Sequence, residues 1–291
     1  MKIKLKNEFI EAIFVDNEKF SRKHRNGYNG IASLKYIKKG EKHSRKNFFV
    51  DFYAGLNLEH YFNEKNHTRD DFFHPRRFPM TIEENIEGKT VRLHQEPFEP
   101  WFITYEATFT MPGSNLIDFQ FKMVPMRDNI LESRFLGVFW ASYINKPEKI
   151  GVHYSHRPES GSGSRWRYYE TTAHGEDSTI CRGEEDKALK FDFDPPRAWL
   201  FMTHADFYYE EPVFYGINDG IMFLLMFKES DNLRFAHSPS GGGKGCPAWD
   251  FFTIYPDPKP DEEYTLEGRV VLKPFVSEDD ALQEYMNYKK N

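Results

Sequence analysis

The side chains best suited to chemistry sit in five short segments: GLNLEH (55–60), HPRRFP (74–79), FWASY (139–143), THADFYY (203–209) and SPSGGG (238–243). Histidine, arginine, tryptophan and tyrosine recur there at the ends of strand-like runs. Such side chains join a ring face to a hydrogen-bonding tip, a combination that suits a sugar ring with its apolar face and hydroxyl rim. A carbohydrate site is the leading expectation. In GLNLEH, Glu59 and His60 form an ordinary acid/base pair. Neighbours on a strand point to opposite faces, so at most one of the two is expected to face a site.

HPRRFP sets Arg76 and Arg77 between prolines that fix the backbone, and a guanidinium fork suits a carboxylate, a phosphate or a vicinal diol. A uronic acid could be held here; the alternative is a basic surface turn paired with the acidic residues at 83–87. In RLHQEP (92–97), His94 and Glu96 share a strand face at a spacing of ~7 Å, near enough to act on one small substrate. FWASYIN offers Trp140 or Tyr143 as a stacking ring, with core filling as the competing use, and Trp101 is a second candidate platform.

Four further histidines lie in HYSH (153–156), TTAHGED (171–177) and THADFYY. His153, His156, His174 and His204 with Asp206 could build an N/O metal site, yet no HExxH or paired CxxC spacing is present. Oxygen-ligated calcium would escape that test. No cofactor is expected. His174, in a loop before Thr179, is the better candidate for substrate contact. The glycines of SPSGGGKGCPAWD (238–250) miss the phosphate-loop spacing and run into a strand-like PAWDFFTIY, which leaves a substrate-covering loop or a tight crossover. There is no GxSxG elbow, and Cys181 and Cys246 have no nucleophile context.

These side chains need elements to hold them. NLIDFQFKMV (115–124) alternates Ile117, Phe119, Phe121 and Met123 with Asp118, Gln120 and Lys122, and WFITYEATFT (101–110) does the same across a Pro-Gly turn, so the two predict an antiparallel hairpin. YTLEGRVVLK (264–273) repeats the period. Further strands are expected at 9–15, 29–37, 47–53, 89–95, 135–143, 198–204, 221–227 and 249–255. SEDDALQEYMNYKK (277–290) predicts a helix capped by Ser277, with acidic residues in its first turn and lysines in its last. The fold class that follows is all-β: a large antiparallel β-sandwich or supersandwich over 1–291 as one domain, closed by a short C-terminal helix. A parallel α/β fold has no room for its crossover helices.

Composition agrees. Of 291 residues 17% are aromatic, with 28 Phe and 16 Tyr, which favours rings buried between sheets. A formal charge of −6 argues against a nucleic-acid partner, and no apolar run approaches the ~20 residues of a membrane span. As written, the chain is expected in the cytoplasm, or in the periplasm or secreted if an export signal has been removed.

The order of GLNLEH, the hairpin 101–124, FWASYIN and PDPKPDEEYTLEGRVVLKPF resembles the galactose-mutarotase-like β-supersandwich over most of residues 9–275. That resemblance implies a sugar-binding concave sheet. Aldose epimerases of this type use an imidazole acid and a carboxylate base near the chain end, with a His-Pro-Tyr-Phe run in mid-chain; the neighbourhood here reads FWASYIN, without that histidine. The reading is a protein that binds a saccharide, with His60, His174 and His204, assisted by Glu59 and His94, moving protons at a sugar carbon in an epimerase or lyase type of reaction. Arg76, Arg77, Trp101, Trp140, Tyr143, Tyr209 and Arg234 would hold the substrate. The alternatives are a glycoside hydrolase with paired carboxylates, a non-catalytic carbohydrate-binding protein, and a metal-dependent enzyme. The expectation common to the enzymatic readings is that the imidazoles and indoles converge in one pocket.

Overall fold

Alternation of large apolar and polar residues does build the long hairpin at the middle of the chain, as a computed structural model shows. The structure describes residues 1–17, 27–40, 46–65, 67–85, 89–127, 133–157, 163–192, 199–228 and 231–290. In chain order the elements are β1 (Lys2–Lys6), β2 (Ile10–Asp16), β3 (Asn29–Tyr36), β4 (Asn57–Phe62), the one-turn helices α1 (Arg69–Phe72) and α2 (His74–Arg77), β5 (Thr81–Glu84), β6 (Thr90–Gln95), β7 (Ile103–Thr110), β8 (Leu116–Pro125) and β9 (Phe135–Ala141). There follow β10 (Val152–Ser155), β11 (Trp166–Tyr169), β12 (Thr179–Cys181), two 3-10 turns at Glu184–Ala188 and Leu200–Met202, β13 (His204–Tyr208), β14 (Val213–Asn218), β15 (Ile221–Phe227), β16 (Leu233–Ser238), β17 (Ala248–Pro256), β18 (Tyr264–Pro274) and α3 (Glu278–Lys290).

Three sheets result. A nine-stranded sheet runs β11-β10-β14-β15-β18-β8-β7-β6-β5, a six-stranded sheet runs β13-β12-β16-β17-β9-β4, and β1-β2-β3 form a third. Pairing is antiparallel except for β12 with β13, which is parallel. The two larger sheets pack face to face. Phe121 of β8 stacks on Trp140 of β9 at 5.1 Å between ring centroids, and Trp140 on Phe251 of β17 at 5.4 Å. Burial of these rings away from water is the main stabilising term of such a core. The small sheet joins it through Phe14, which meets Phe109 at 5.1 Å.

The C-terminal helix forms where the sequence places it. The Ser277 hydroxyl accepts the Asp280 N–H at 3.1 Å, and Ala281, Tyr285 and Tyr288 cover Met222, Leu224 and Val271 on the far side of the nine-stranded sheet. Two expected strands are replaced. Residues 47–53 contribute only a bridge from Phe49 to Ile144, and 198–204 gives the 3-10 turn Leu200–Met202 before β13 begins. Among the described residues, no helix is long and apolar enough to cross a membrane.

Candidate functional site

One face of the six-stranded sheet looks into the sandwich and the other looks away from it. The register decides which side chains share the outward face. On β17, Phe251 pairs with Trp140 and turns inward, so its neighbours Asp250 and Phe252 turn outward. Asp250 lies opposite Ala236 of β16, while Ala248 lies opposite Ser238 and bridges Tyr143. The same register sets Ala141 beside Asp250. The Asp250 carboxyl thus stands among alanines on this face, 1% exposed.

On β4 the ladder to β9 slips by one residue. Asn57 pairs with Ala141 and Leu58 with Trp140, but the next pair is His60 with Phe139, which leaves Glu59 as an extra, bulged residue. The rule that adjacent strand residues face opposite ways fails here, and Glu59 and His60 turn to the same side, with His60 Nε2 3.6 Å from Glu59 Oε2. The other Glu59 oxygen accepts from Arg76 Nη1 and from the Tyr143 hydroxyl, the latter at 2.6 Å. Arg76 reaches this point because α2, opened by Pro75, turns it inward. Its Nε donates to the Gly27 carbonyl at 2.9 Å and its guanidinium lies 4.0 Å over the Tyr28 ring.

This geometry separates the protonation states of two buried carboxyls. Burial opposes the charge on Glu59, but the Arg76 guanidinium and the Tyr143 hydrogen bond act against it, and the carboxyl is held below its usual range. Burial pushes Asp250 well above the carboxylate range; the Ser142 N–H, 2.9 Å from Oδ1, opposes this, and the negative charge of Glu59 adds to it. The two carboxyls are thus pushed in opposite directions, Asp250 toward its protonated form and Glu59 toward its ionised form. Burial also lowers His60 to about 4, only partly offset by Glu59, so its imidazole is neutral. Ser142 ties the two strands together, since its hydroxyl accepts the Leu56 N–H at 3.0 Å at the start of the bulged segment.

Around this core stand groups that are more open. His174, in the loop before β12, brings Nδ1 to 2.8 Å from the Ser238 hydroxyl and is exposed. Tyr53 packs on Tyr143 at 4.9 Å and on Tyr28 at 5.4 Å. Trp199 lies 5.7 Å from His60 and 5.8 Å from Phe201, and its indole N–H, though enclosed, has no hydrogen-bond partner among the described residues.

The residues expected at a site do not all meet. Glu59, His60, Arg76, Tyr143 and His174 share the outward face with Asp250. His204 also belongs to it, but on β13, three strands from β17, a lateral distance of ~14 Å. His60 is wedged between Phe73 at 4.2 Å and Phe139 at 5.3 Å, which leaves it little access to a substrate. Neither foreseen indole presents a face to a ligand. Trp140 is fully enclosed in the inter-sheet core with Nε1 donating to the Tyr105 hydroxyl at 3.1 Å, and Trp101 is buried with Nε1 donating to the Asp71 carbonyl at 2.7 Å. His94 lies on the far side of the nine-stranded sheet, 3.2 Å from Glu96 as its spacing implied, but on the opposite side of the sandwich from Asp250. Arg77 is exposed and pairs with Asp70 at 2.7 Å; of the acidic residues at 83–87 foreseen as its partners, Glu87 lies outside the described residues. Tyr209 donates to the Leu233 carbonyl at 2.8 Å, and Arg234 to Asp186 at 2.8 Å, so both pin structure. Among the described residues, no group of three or more His, Cys, Asp or Glu side chains is placed to hold a metal ion.

Sequence reasoning passed over Asp250. Its signal was present: a lone carboxylate inside AWDFFTIY, where every neighbour is apolar or small, must be buried if the strand is, and a buried charge needs a purpose or a proton.

No protein-family model matches the chain, and no curated protein matches it. Solved structures do. A GalM/aldose epimerase homologue from C. elegans superposes with a TM-score of 0.53 at 10% identity, covering 95% of this chain and 99% of that one. The fold is the galactose-mutarotase-like β-supersandwich. The same supersandwich is matched within the α-N-acetylgalactosaminidase NagBb from Bifidobacterium bifidum in complex with GalNAc, at a TM-score of 0.55 and 14% identity over 99% of this chain. The chain spans 39% of NagBb's length. At these identities the likeness is one of fold.

Proposed function

We propose that this chain binds a saccharide on the outward face of its six-stranded sheet and performs acid/base chemistry at a sugar carbon. The observation that carries this reading is a pair of buried carboxyls on one sheet face, Glu59 clamped by Arg76 and Tyr143 and pushed toward ionisation, Asp250 set among alanines and pushed toward protonation, on a fold whose solved examples include an aldose epimerase homologue and a GalNAc-bound glycosidase. In this reading Asp250 gives a proton to the substrate. His174, the least enclosed imidazole near that carboxyl, receives one. Glu59 acts at a distance from the substrate: clamped by Arg76 and Tyr143, it adds its charge to the burial that pushes Asp250 toward its protonated form. Tyr53 and Trp199 supply ring faces for stacking. Because Glu59, His60, Tyr143 and Asp250 are all buried, the site suits a single sugar unit admitted end-on, not a glycan lying along the sheet.

The match to a 39% portion of a longer glycosidase favours a second reading, in which the domain binds sugar and another domain does the chemistry. A panel of neutral, N-acetylated and uronic sugars tested by thermal shift separates the outcomes. A ligand that raises the melting temperature of wild type, is still bound by Asp250→Asn, and is turned over only by wild type supports the acid/base reading. Binding without turnover in either protein supports the second. Absence of any sugar ligand in the millimolar range would overturn both.

A further inference from the structure

We infer that the outer face of the three-stranded sheet is an anion-binding surface that takes an acidic polysaccharide. The choice of a polysaccharide among polyanions rests on the saccharide reading above; the anion surface itself does not.

The chain carries a formal charge of −6, yet this face gathers Lys4 and Lys6 of β1, Lys35 of β3, and Lys38 and Lys39 just beyond it, against the two carboxylates Glu8 and Glu11. Register explains the grouping. Lys6 pairs with Glu11 and Glu11 with Lys35, so the three stand in one row across the sheet on one side. Lys4 reaches the same carboxylate at 2.8 Å. One negative charge sits under three ammonium groups, and Glu11 is held below its usual range, first by the hydrogen bond from Lys4 and then by the charges of Lys4, Lys35 and Lys6 acting against its burial. A surface cleft of about 510 Å³ runs between Lys6, Glu11, Lys35, Ile37, Lys38 and Lys39. Its wall is fixed by the β1–β2 turn, where Asn7 Oδ1 accepts the N–H groups of Phe9 and Ile10 at 2.8 and 2.9 Å.

The spacing favours a chain over a small ion. Donors for a phosphate or sulfate converge on one point, whereas these ammonium groups are set ~7 Å apart along a strand and ~5–10 Å across strands. Such a lattice fits a polymer that repeats its charges. Lysines on an edge strand also deter strand pairing, and β1 is an edge. β3 is the other edge of this sheet, so the same explanation covers Lys35 but not Lys38 and Lys39, which lie beyond the end of β3.

The test uses the full chain and four immobilised polymers: polygalacturonate and heparin as acidic polysaccharides, dextran as a neutral one, and double-stranded DNA. Binding to at least one of the acidic polysaccharides is expected, weakening with added salt, falling at least tenfold in Lys35→Glu/Lys39→Glu, and unchanged in Asp250→Asn. Equal retention on dextran, tighter binding to DNA than to either polysaccharide, or undiminished binding by a Lys35→Glu/Lys39→Glu protein that melts as wild type would overturn the inference. If that variant does not fold, Lys6→Gln/Lys38→Gln gives the same readout. Because Asp250 lies in another sheet, failure of the saccharide site appears as loss of small-sugar binding with polymer retention intact, and failure of the lysine face as the reverse.

Discussion

The two faces of the six-stranded sheet are made by the same strands and differ in what they can do. Inward, alternate positions carry Leu58, Trp140, Phe235, Trp249 and Phe251, which interlock with the nine-stranded sheet. Outward, the positions between them carry Ala141, Ala236, Ala248, Asp250 and the bulged Glu59 with His60. Large rings on one side make a core, and small residues on the other let two carboxyls lie below the surface without filling the space around them. Period two lets one strand serve both ends, so a substitution should show in stability or in chemistry according to its parity.

The largest effect is expected inward. Trp140→Ala removes a ring packed between Phe121 and Phe251 and the donor to Tyr105, and should lower unfolding stability by ~3–5 kcal/mol in urea melts. A loss below ~1 kcal/mol would contradict the division of faces. Next comes pH, which acts on the buried histidines and on Asp250 with opposite sign. His237 looks inward, accepted between Thr171 and the Ile150 carbonyl, and burial lowers it to about 4 from an unfolded value of 6.5. Its contribution is present above pH 6.5 and lost as pH falls toward 4, an effect of about 3 kcal/mol. His60 and His74, both lowered to about 4 chiefly by burial, act in the same sense. Asp250 does the reverse: raised above 3.8, it contributes most at low pH and loses that contribution as pH rises toward its folded value. Stability should therefore decline from pH 6.5 to 4, less steeply in His237→Asn and more steeply in Asp250→Asn, as read from urea midpoints across that range.

Asp250→Asn should leave the fold intact, because an amide resembles the protonated carboxyl, while turnover of the sugar found in the panel drops ~100-fold. Retained turnover would remove Asp250 from the mechanism. His174→Ala is expected to lower turnover ~10-fold with little change in melting temperature. His60→Ala, by contrast, should destabilise by ~1–3 kcal/mol, since it opens a gap between Phe73 and Phe139. Equal behaviour of the two histidine variants would erase the contrast between the open and the enclosed imidazole. Smallest of all, Arg77→Ala breaks only an exposed pair with Asp70 and should shift stability by less than ~0.5 kcal/mol.

What the sequence disclosed follows the same division. The hairpin of β7 and β8, strand β18 and helix α3 were legible because each has one wet side, so polarity reports orientation. The six-stranded sheet was not. Every residue of β9 is buried, as is every residue of β4 and β16, so apolar residues occupy both faces and no pattern tells which way Trp140 points. The indoles looked like stacking platforms because their chemistry is right; their parity places them in the core. Arg76 was correctly drawn to polar company, but its partner is Glu59 of the same chain. A guanidinium already matched by a buried carboxylate has little left with which to hold a uronate.

The slip between Leu58 and His60 has a consequence for how such a protein can change. A strand with an even count between two anchors keeps its inventory; one added residue reassigns everything after it. Shortening β4 by the single residue Glu59 would leave Arg76 and Tyr143 without their common acceptor and remove the charge that helps keep the Asp250 proton in place. The chemistry of this face thus depends on a length as much as on a residue type, and a one-codon deletion would erase it while leaving every other side chain of the sequence unaltered.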